Sequence, residues 1–541
     1  MAERKPLRSI ADPFVVAPPT GARIRTRIHP TPAEQTALRA IGTHLGGLYR
    51  ADLMDRFRLG RVPGAARDRT GRKRRLTGGS SSRWAGSITR AAEDQYQFGM
   101  RGLAAEVGDL RSATETIARR LAVPCGEKDG QVRGYPAEAE RFQKSRRLAH
   151  LRRRLAAAER ELDSGRPSVV VGGRRLWRNR QHLAESRLTE QQWRDRWAHA
   201  RMFLTADGES GKRYGNETIR VTTDGVLSVK VPGPLETEFG RRLAIGQPVG
   251  FAHRCEEWAA RIADNQAVRY DISYDPAKDR WYLDASWGIP AGPTPTVDNL
   301  RSGLVMAVDL NAEHLAAYVV DPSGNPVGAP HDIPIDLNGL PATTRAGRLK
   351  SAIAELLNLA AANGCTAVAI ENLNFTDART TGRETMGRGR RGKTFRRTVA
   401  GIPTAQFRTW LTSMAANRGV WIIAVDPAYT SQWGAQHWRK PLQQQASGTT
   451  VTRHNAAAVA IGRRAHGLAI KRRVCGPRNG QRTAAGQPTP RLDRQAMSGG
   501  CRTPRPTDAP PKAPGPADRD DIQLPRPFGE QVITRPTSAH S

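Results

Sequence analysis

Hydrophobic and polar positions change their period several times along this chain. From Ala22 the run ARIRTRIHP alternates apolar and basic residues, the period-two signature of a strand whose second face meets a polyanion. Thr31-Pro32-Ala33-Glu34 then spells a helix start, with Thr31 as N-cap, Pro32 at the first helical position and Glu34 completing a capping box. Leu38, Ile41, Leu45 and Leu48 carry that helix onward at three- and four-residue steps. Between about 50 and 200 the pattern is helical and rich in arginine, most clearly where Phe142, Leu148, Leu151, Leu155 and Leu162 recur at helical spacing. Alternation returns near residue 218. TIRVTTDGVLSVKVP predicts a hairpin turning at Asp224-Gly225, and residues 268–287 predict a second around Asp275–Asp279. These strands are expected to join the N-terminal one in a small β-barrel around the helical insertion. From Leu304 to about 473 the pattern becomes α/β. The remainder carries twelve of the 37 prolines with almost no apolar periodicity, so no core is expected there and the tail reads as disordered.

Composition narrows the function. The 541 residues include 85 Lys and Arg against 51 Asp and Glu, a formal net charge of +34 that requires a polyanionic partner along a broad surface. No run of about 18 apolar residues occurs, which argues against a transmembrane helix, and the apolar stretch near the N-terminus is too short for a signal peptide. The five cysteines form no C-x-x-C pair, which argues against a disulfide framework and a cysteine zinc ribbon. The expectation is a soluble, cytoplasmic protein.

The chemistry concentrates in LVMAVDLNAEHLAAYVVDPSGN, 304–325. An apolar run ends at Asp309, a second strand follows over His314–Val320, and Asp321–Gly324 turns the chain again. A carboxylate ending the first strand of such a meander, with Asn two residues on, is how the RNase H-like fold opens. After a helix over about Thr344–Ala362, the run TAVAIENLNF ends its apolar stretch at Glu371. Two carboxylates at the ends of adjacent buried strands can share a divalent metal through oxygen, and in two-metal nucleases such ions flank a phosphodiester.

The blocks AVDLN, AIENLNF, AVDPAYTSQWG and RHNAAAVAIGRR resemble the three RuvC motifs of TnpB-type transposon nucleases and their descendants, the type V CRISPR effectors. The resemblance runs from about 304 to 470, and IRTRIHPTPAEQ resembles the opening strand and helix of the same proteins. Size, the missing ribbon cysteines and an altered third motif are most similar to the compact type V-M effectors. The resemblance implies a bilobed, multidomain α+β architecture. It divides the chain into an arm at 1–20, a wedge-like β-barrel domain in two parts at 21–50 and 201–300, and a helical recognition lobe at 51–200. A RuvC-type RNase H-like domain at 301–475 and the tail at 476–541 complete it. A monomeric ribonucleoprotein of antiviral defence is implied, holding a guide RNA and silencing target double-stranded DNA by occupancy. The alternatives are a Mg²⁺-dependent nuclease with residual activity on RNA, as in guide maturation, or on one DNA strand, and a transposon-associated TnpB relative.

The third motif breaks the family wording. Registering on Asn455-Ala456-Ala457 places Arg453 where active relatives carry the third metal-binding Asp, and a one-residue shift places His454 there. A cation at about 4 Å in a medium of effective dielectric near 20 opposes each unit charge of a metal by roughly 4 kcal/mol. Asp309 and Glu371 are thus expected to hold one weakly bound Mg²⁺ at most; Asp426 is a candidate substitute ligand, but its place before a proline at a strand end favours a structural role. At the ribbon positions stand Gly434 and His437, flanked by Trp433 and Trp438, so no zinc is expected and the tryptophans read as an apolar plug. Two basic runs are candidates for phosphate contact. One holds Arg388, Arg390, Arg391, Lys393, Arg396 and Arg397; the other holds Arg72, Lys73, Arg74 and Arg75. Trp84, Trp177, Trp193 and Trp197 could stack on bases, though each singly reads as core.

Overall fold

The computed structural model describes residues 9–61, 65–290, 292–337, 339–373, 404–446 and 450–470. The loop at 387–398 and the proline-rich tail therefore lie outside the described residues.

Strand β1 (Phe14–Val15) and strand β2 (Gly21–Ile28) precede the long helix α1 (Pro32–Leu59). The capping box forms as the sequence predicts: Glu34 N donates to Thr31 Oγ1 at 3.3 Å and Thr31 N donates to Glu34 Oε2 at 2.7 Å. Leu38, Ile41, Leu45 and Leu53 on α1 are fully buried, each worth about 1.5–3 kcal/mol of transfer free energy. Helices α2 (Ala65–Thr77), α3 (Ser82–Ala122) and, after a short ribbon of β3 (Lys128–Asp129) and β4 (Val132–Arg133), α4 (Glu138–Ser164) build the basic region. Leu148 and Leu151 of α4 pack with Leu103, Val107, Leu110 and Ile117 of α3. Phe142, read as part of that stripe, is instead 64% exposed in the second turn of α4. Helices α5 (Arg174–Asn179) and α6 (Glu190–His199) follow. The four tryptophans are used in packing. Trp84 is fully buried and its Nε1 donates to Lys230 O, while Trp193 donates to Leu176 O and stacks on Trp197, which also meets Trp177.

The expected barrel does not close. Strands β5 (Thr205–Ala206), β6 (Ile219–Val221), β7 (Leu227–Lys230), β8 (Arg242–Ile245), β9 (Arg269–Asp275) and β10 (Arg280–Gly288) divide into two open sheets, with α7 (Glu236–Phe239) and α8 (Cys255–Ala263) between them in sequence. One sheet has the order β2-β10-β9-β5 and the other β6-β7-β8. Both predicted hairpins are present and β2 joins the second of them, Ile24 facing Ala285. The first hairpin pairs onward with β8, a strand between the two hairpins that the sequence pattern did not reveal.

After α9 (Val297–Arg301), the third sheet carries β11 (Val305–Leu310), β12 (His314–Val320), β13 (Pro326–Pro334), β14 (Ala367–Glu371) and β15 (Trp421–Val425), in the order β1-β15-β14-β11-β12-β13. β11, β12 and β13 are antiparallel, whereas β14 runs parallel to β11 and β15 parallel to β14. This is the strand order and sense expected from the sequence for residues 301–475, with α10 (Ala342–Ala362) supplying the crossover between β11–β13 and β14. Helices α10 and α11 (Thr404–Ala416) cover one face through Ile353, Leu356, Phe407 and Leu411. Helices α12 (Thr430–His437), α13 (Arg439–Gln445) and α14 (Arg453–Ala465) follow β15. Ile461 and Ala465 of α14 cover the opposite face, against Val305, Ala307, Ala369 and Val425. The N-terminal arm is not loose throughout, because β1 adds an antiparallel edge strand to β15, Phe14 facing Ala424. No helix among the described residues is long and apolar enough to cross a membrane.

Candidate active site

Side chains alternate across a sheet, so odd-numbered residues of β11 and β14 point to the face covered by α14. Asp309 and Glu371 both fall in that series, each one step past the pair Val308–Ile370 that aligns the two parallel strands. Asp309 is 4% exposed. Its Oδ2 accepts from Asn311 Nδ2 at 3.1 Å, the structural use of the Asp-x-Asn spacing.

The partner from α14 is His454. Its Nδ1 lies 2.8 Å from Asp309 Oδ2. Arg453 is exposed and its Nε donates to His454 Nε2 at 3.2 Å. An arginine nitrogen can only donate, so Nε2 carries the lone pair and the imidazole proton sits on Nδ1, facing Asp309. Of the two residues read at the missing carboxylate, Arg453 and His454, it is His454 that the structure brings to Asp309. The edge of the His314 ring packs against His454, centroids 5.3 Å apart and planes at 84°. Thr452 caps α14, and Asn455 reaches across to Asp332 Oδ1 at 2.8 Å, which pins the start of the helix to β13.

Glu371 has a different environment. Thr430, at the start of α12, donates its hydroxyl to Glu371 Oε1. Burial, reinforced by the nearby Asp309 charge, pushes the Glu371 carboxyl up to about 7. Close by is a buried guanidinium, Arg464, whose Nη1 donates to Asp426 O and, at 2.9 Å, to Ala428 O. Its attraction for Glu371 and Asp426 only partly offsets the burial that lowers its own pKa. Asp426 itself is spent on backbone: Oδ1 accepts from Ala428 N at 2.9 Å and Oδ2 from Ala11 N at 3.0 Å.

Among the described residues no group of three His, Cys, Asp or Glu side chains is arranged to hold a metal ion. Asp309 and Glu371 do not fit a two-ion centre: one oxygen of Asp309 is engaged by His454, Glu371 is held towards its neutral form, and Arg464 supplies a fixed positive charge beside them. The ribbon positions are used for packing. A Cβ on Gly434 would stand 2.6 Å from Ala456 O, so glycine is what lets α12 cross α14 this closely. Trp438 is buried with Tyr318, Leu442, Val451 and Val459 and donates to Ile470 O at 2.8 Å, while Trp433 stacks on Tyr429.

Of the candidate phosphate contacts, Arg388, Arg390, Arg391, Lys393, Arg396 and Arg397 lie outside the described residues. Arg74 and Arg75 are exposed and Lys73 is half-exposed. Arg72 is turned inward with no exposed side chain, its Nη1 2.6 Å from Asp52 Oδ2, so it braces α2 against α1 and is not available to a ligand. Thr430, Arg464 and His314 were not singled out from sequence. The signal for Arg464 was a charged residue, next to Arg463, just past the apolar run Ala456–Ile461.

No family model matches the chain, and no curated protein matches it. Among solved structures, Thermus thermophilus RuvC in complex with a Holliday junction substrate is 18% identical, with a TM-score of 0.21, covering 30% of this chain and 91% of that one. A second Thermus thermophilus RuvC structure is 20% identical, with a TM-score of 0.19, covering 30% of this chain and 93% of that one.

Proposed function

We propose that this protein is a nucleic-acid-binding member of the RNase H-like nuclease class that holds double-stranded DNA under the direction of a bound guide RNA without cutting it. The observation that carries the reading is the 2.8 Å contact of His454 with Asp309, which puts an imidazole where a third carboxylate would complete a two-metal centre. The charge supports the binding half. Arg146, Arg147, Arg152, Arg153 and Arg160 stand exposed on α4 with no ion pair among the described residues, and the chain carries a net +34. Such a surface gains affinity from counterions released by phosphates, and base pairing by the guide would supply sequence choice. The type V-M resemblance of the motif blocks adds the RNA-guided mode.

The test has two arms. RNA that co-purifies with the protein is sequenced, and one recurrent small species is expected. The loaded protein is then titrated with matched and mismatched duplexes over a salt series. Retention should depend on the match and weaken steeply with salt. Replacing Arg388, Arg390, Arg391, Lys393, Arg396 and Arg397 together by Ala should flatten that dependence. Absence of bound RNA, or retention indifferent to duplex sequence, contradicts the guided reading.

A further inference from the structure

One hydrophobic core gathers residues from Ala22 to Trp287, whereas the third sheet has a core of its own on each face. The N-terminal arm belongs to the third sheet and runs directly into the first core. We propose that residues 9–20 are a tie between these two bodies: docked on β15, the arm turns their junction into a hinge of short travel. The inference goes beyond the nucleic-acid-binding reading and does not depend on it, because it concerns the free chain.

The arm grips the third sheet on both faces. Val15 packs on the core under α14 and Val16 on the core under α10 and α11. Val16 N donates to Ile422 O at 2.8 Å, Phe14 faces Ala424, and the Arg408 guanidinium lies 5.9 Å from the centre of the Phe14 ring. Ala11 N is held by Asp426. By Thr20 the chain has already reached the other body: Thr20 O accepts from Ile289 N at 2.8 Å, and Gly21 opens β2 opposite Gly288 of β10. Ile289 in turn begins the second connection, which ends where Thr296 caps α9 and Leu300 enters a core of the third sheet. Both connections therefore leave the first body side by side, at one hydrogen bond. That bond is the pivot.

The two connections differ in length, and the shorter one decides the travel. From Val16 to Thr20 there are four Cα–Cα steps, at most about 14 Å of extended chain, whereas the seven steps from Ile289 to Thr296 reach about 25 Å. Pro18 and Pro19 stiffen the short connection, since each fixes its own φ and restrains the residue before it. Bodies with separate cores move against one another unless something holds them. With β1 docked, the movement left is rotation about the Thr20–Ile289 bond. With β1 released, the longer connection alone sets the limit, about 10 Å further out.

The test uses the full chain without nucleic acid. Spin labels on non-natural residues that replace Phe98 of α3 and Val327 of β13, 37% and 41% exposed, report the distribution of distances between the bodies. Hydrogen exchange of the Val16 amide reports docking of the arm. The chain with its arm unaltered should show a narrow distribution and a protected Val16 amide. Six residues, Gly-Ser three times, inserted between Pro18 and Pro19 should leave Val16 protected and widen the distribution by about 10 Å, the difference between the two reaches. Val15→Asp should expose the Val16 amide and widen the distribution as much. Val15→Cys with Ile423→Cys, which face each other on the ladder, locks β1 in place as a disulfide. The locked chain should stay narrow on its own and widen when the insertion is added. A distribution unchanged by the insertion in the locked chain overturns the proposal. So does an unaltered arm whose distribution is already as broad as with the insertion, or whose Val16 amide exchanges freely.

Discussion

Asp426 Oδ2 accepts a hydrogen bond from the backbone N–H of Ala11, 415 residues away in sequence, at 3.0 Å. The carboxylate just past β15 therefore anchors the N-terminal arm, and its other oxygen holds Ala428 N at 2.9 Å. Two N–H donors depend on one buried side chain. Asp426→Ala removes both bonds, a loss of about 0.5–1.5 kcal/mol for each. The expected outcome is a lower denaturant midpoint together with fast amide exchange at Ala11 and along Phe14–Val16. An unchanged exchange rate at Ala11 would show that the arm is held by other contacts.

Glu371 gives a pH signature. Its folded-state carboxyl titrates at about 7 against 4.5 for an unperturbed one, because burial and Asp309 oppose its charge. A raised pKa means that the stability it contributes is complete below about 4.5 and is lost as pH rises through about 7, a change of about 3 kcal/mol. Glu371→Gln keeps an acceptor for the Thr430 hydroxyl and removes the charge. In EDTA, thermal melts should show the variant more stable than wild type at pH 8 and equal to it at pH 4. Equal stability at both values would mean that Glu371 is ionised without cost.

The ion pair of Arg72 with Asp52 makes the same point about burial even where a counter-charge is present. Burial raises the Asp52 carboxyl to about 6 despite a guanidinium at 2.6 Å, so desolvation outweighs the pairing. Arg72→Met strands the carboxylate, and a loss of about 3–5 kcal/mol is expected at neutral pH. The loss should shrink as pH falls towards 6, because without the guanidinium that lowers it the Asp52 carboxyl takes up its proton above the wild-type value of about 6. Adding Asp52→Asn should recover most of it, read as a double-mutant cycle of melting midpoints.

Much of this architecture was legible because it is written in short-range patterns. The Thr31 cap, the two hairpins and the apolar runs ending at Asp309 and Glu371 each depend on residues within a few positions of one another. Pairing at long range was not legible. A two-residue strand such as Phe14–Val15 has no period to detect, and Ile423, the partner of Val15, lies 408 residues further along the chain. The fate of Arg72 depended on Asp52, on a different helix. The choice between Arg453 and His454 turned on helix rotation. Neighbouring helical positions differ by about 100°, and only the packing of Ile461 and Ala465 on the sheet shows that His454 is the residue aimed at Asp309.

That rotation yields a prediction about metals. His454→Asp puts a third carboxylate beside Asp309 in the direction already occupied by the imidazole. Mg²⁺ should raise the melting temperature of this variant and leave that of the wild type nearly unchanged. Arg453→Asp, exposed and facing away, should gain no such response. A Mg²⁺ shift in the Arg453→Asp protein alone would mean that the motif register was right and the helix rotation wrong.

The central proposal is that the protein binds a matched duplex and leaves it intact. The most direct measurement is a denaturing gel of a matched duplex, end-labelled on each strand in turn, after long incubation with the RNA-loaded protein and Mg²⁺, beside a native gel of the same samples. Both strands are expected at full length while the native gel shows them retarded, with Asp309→Ala retaining DNA as well as wild type. Cut strands that appear only with the matching guide, and vanish in the Asp309→Ala protein, would contradict the account and establish an active DNA nuclease.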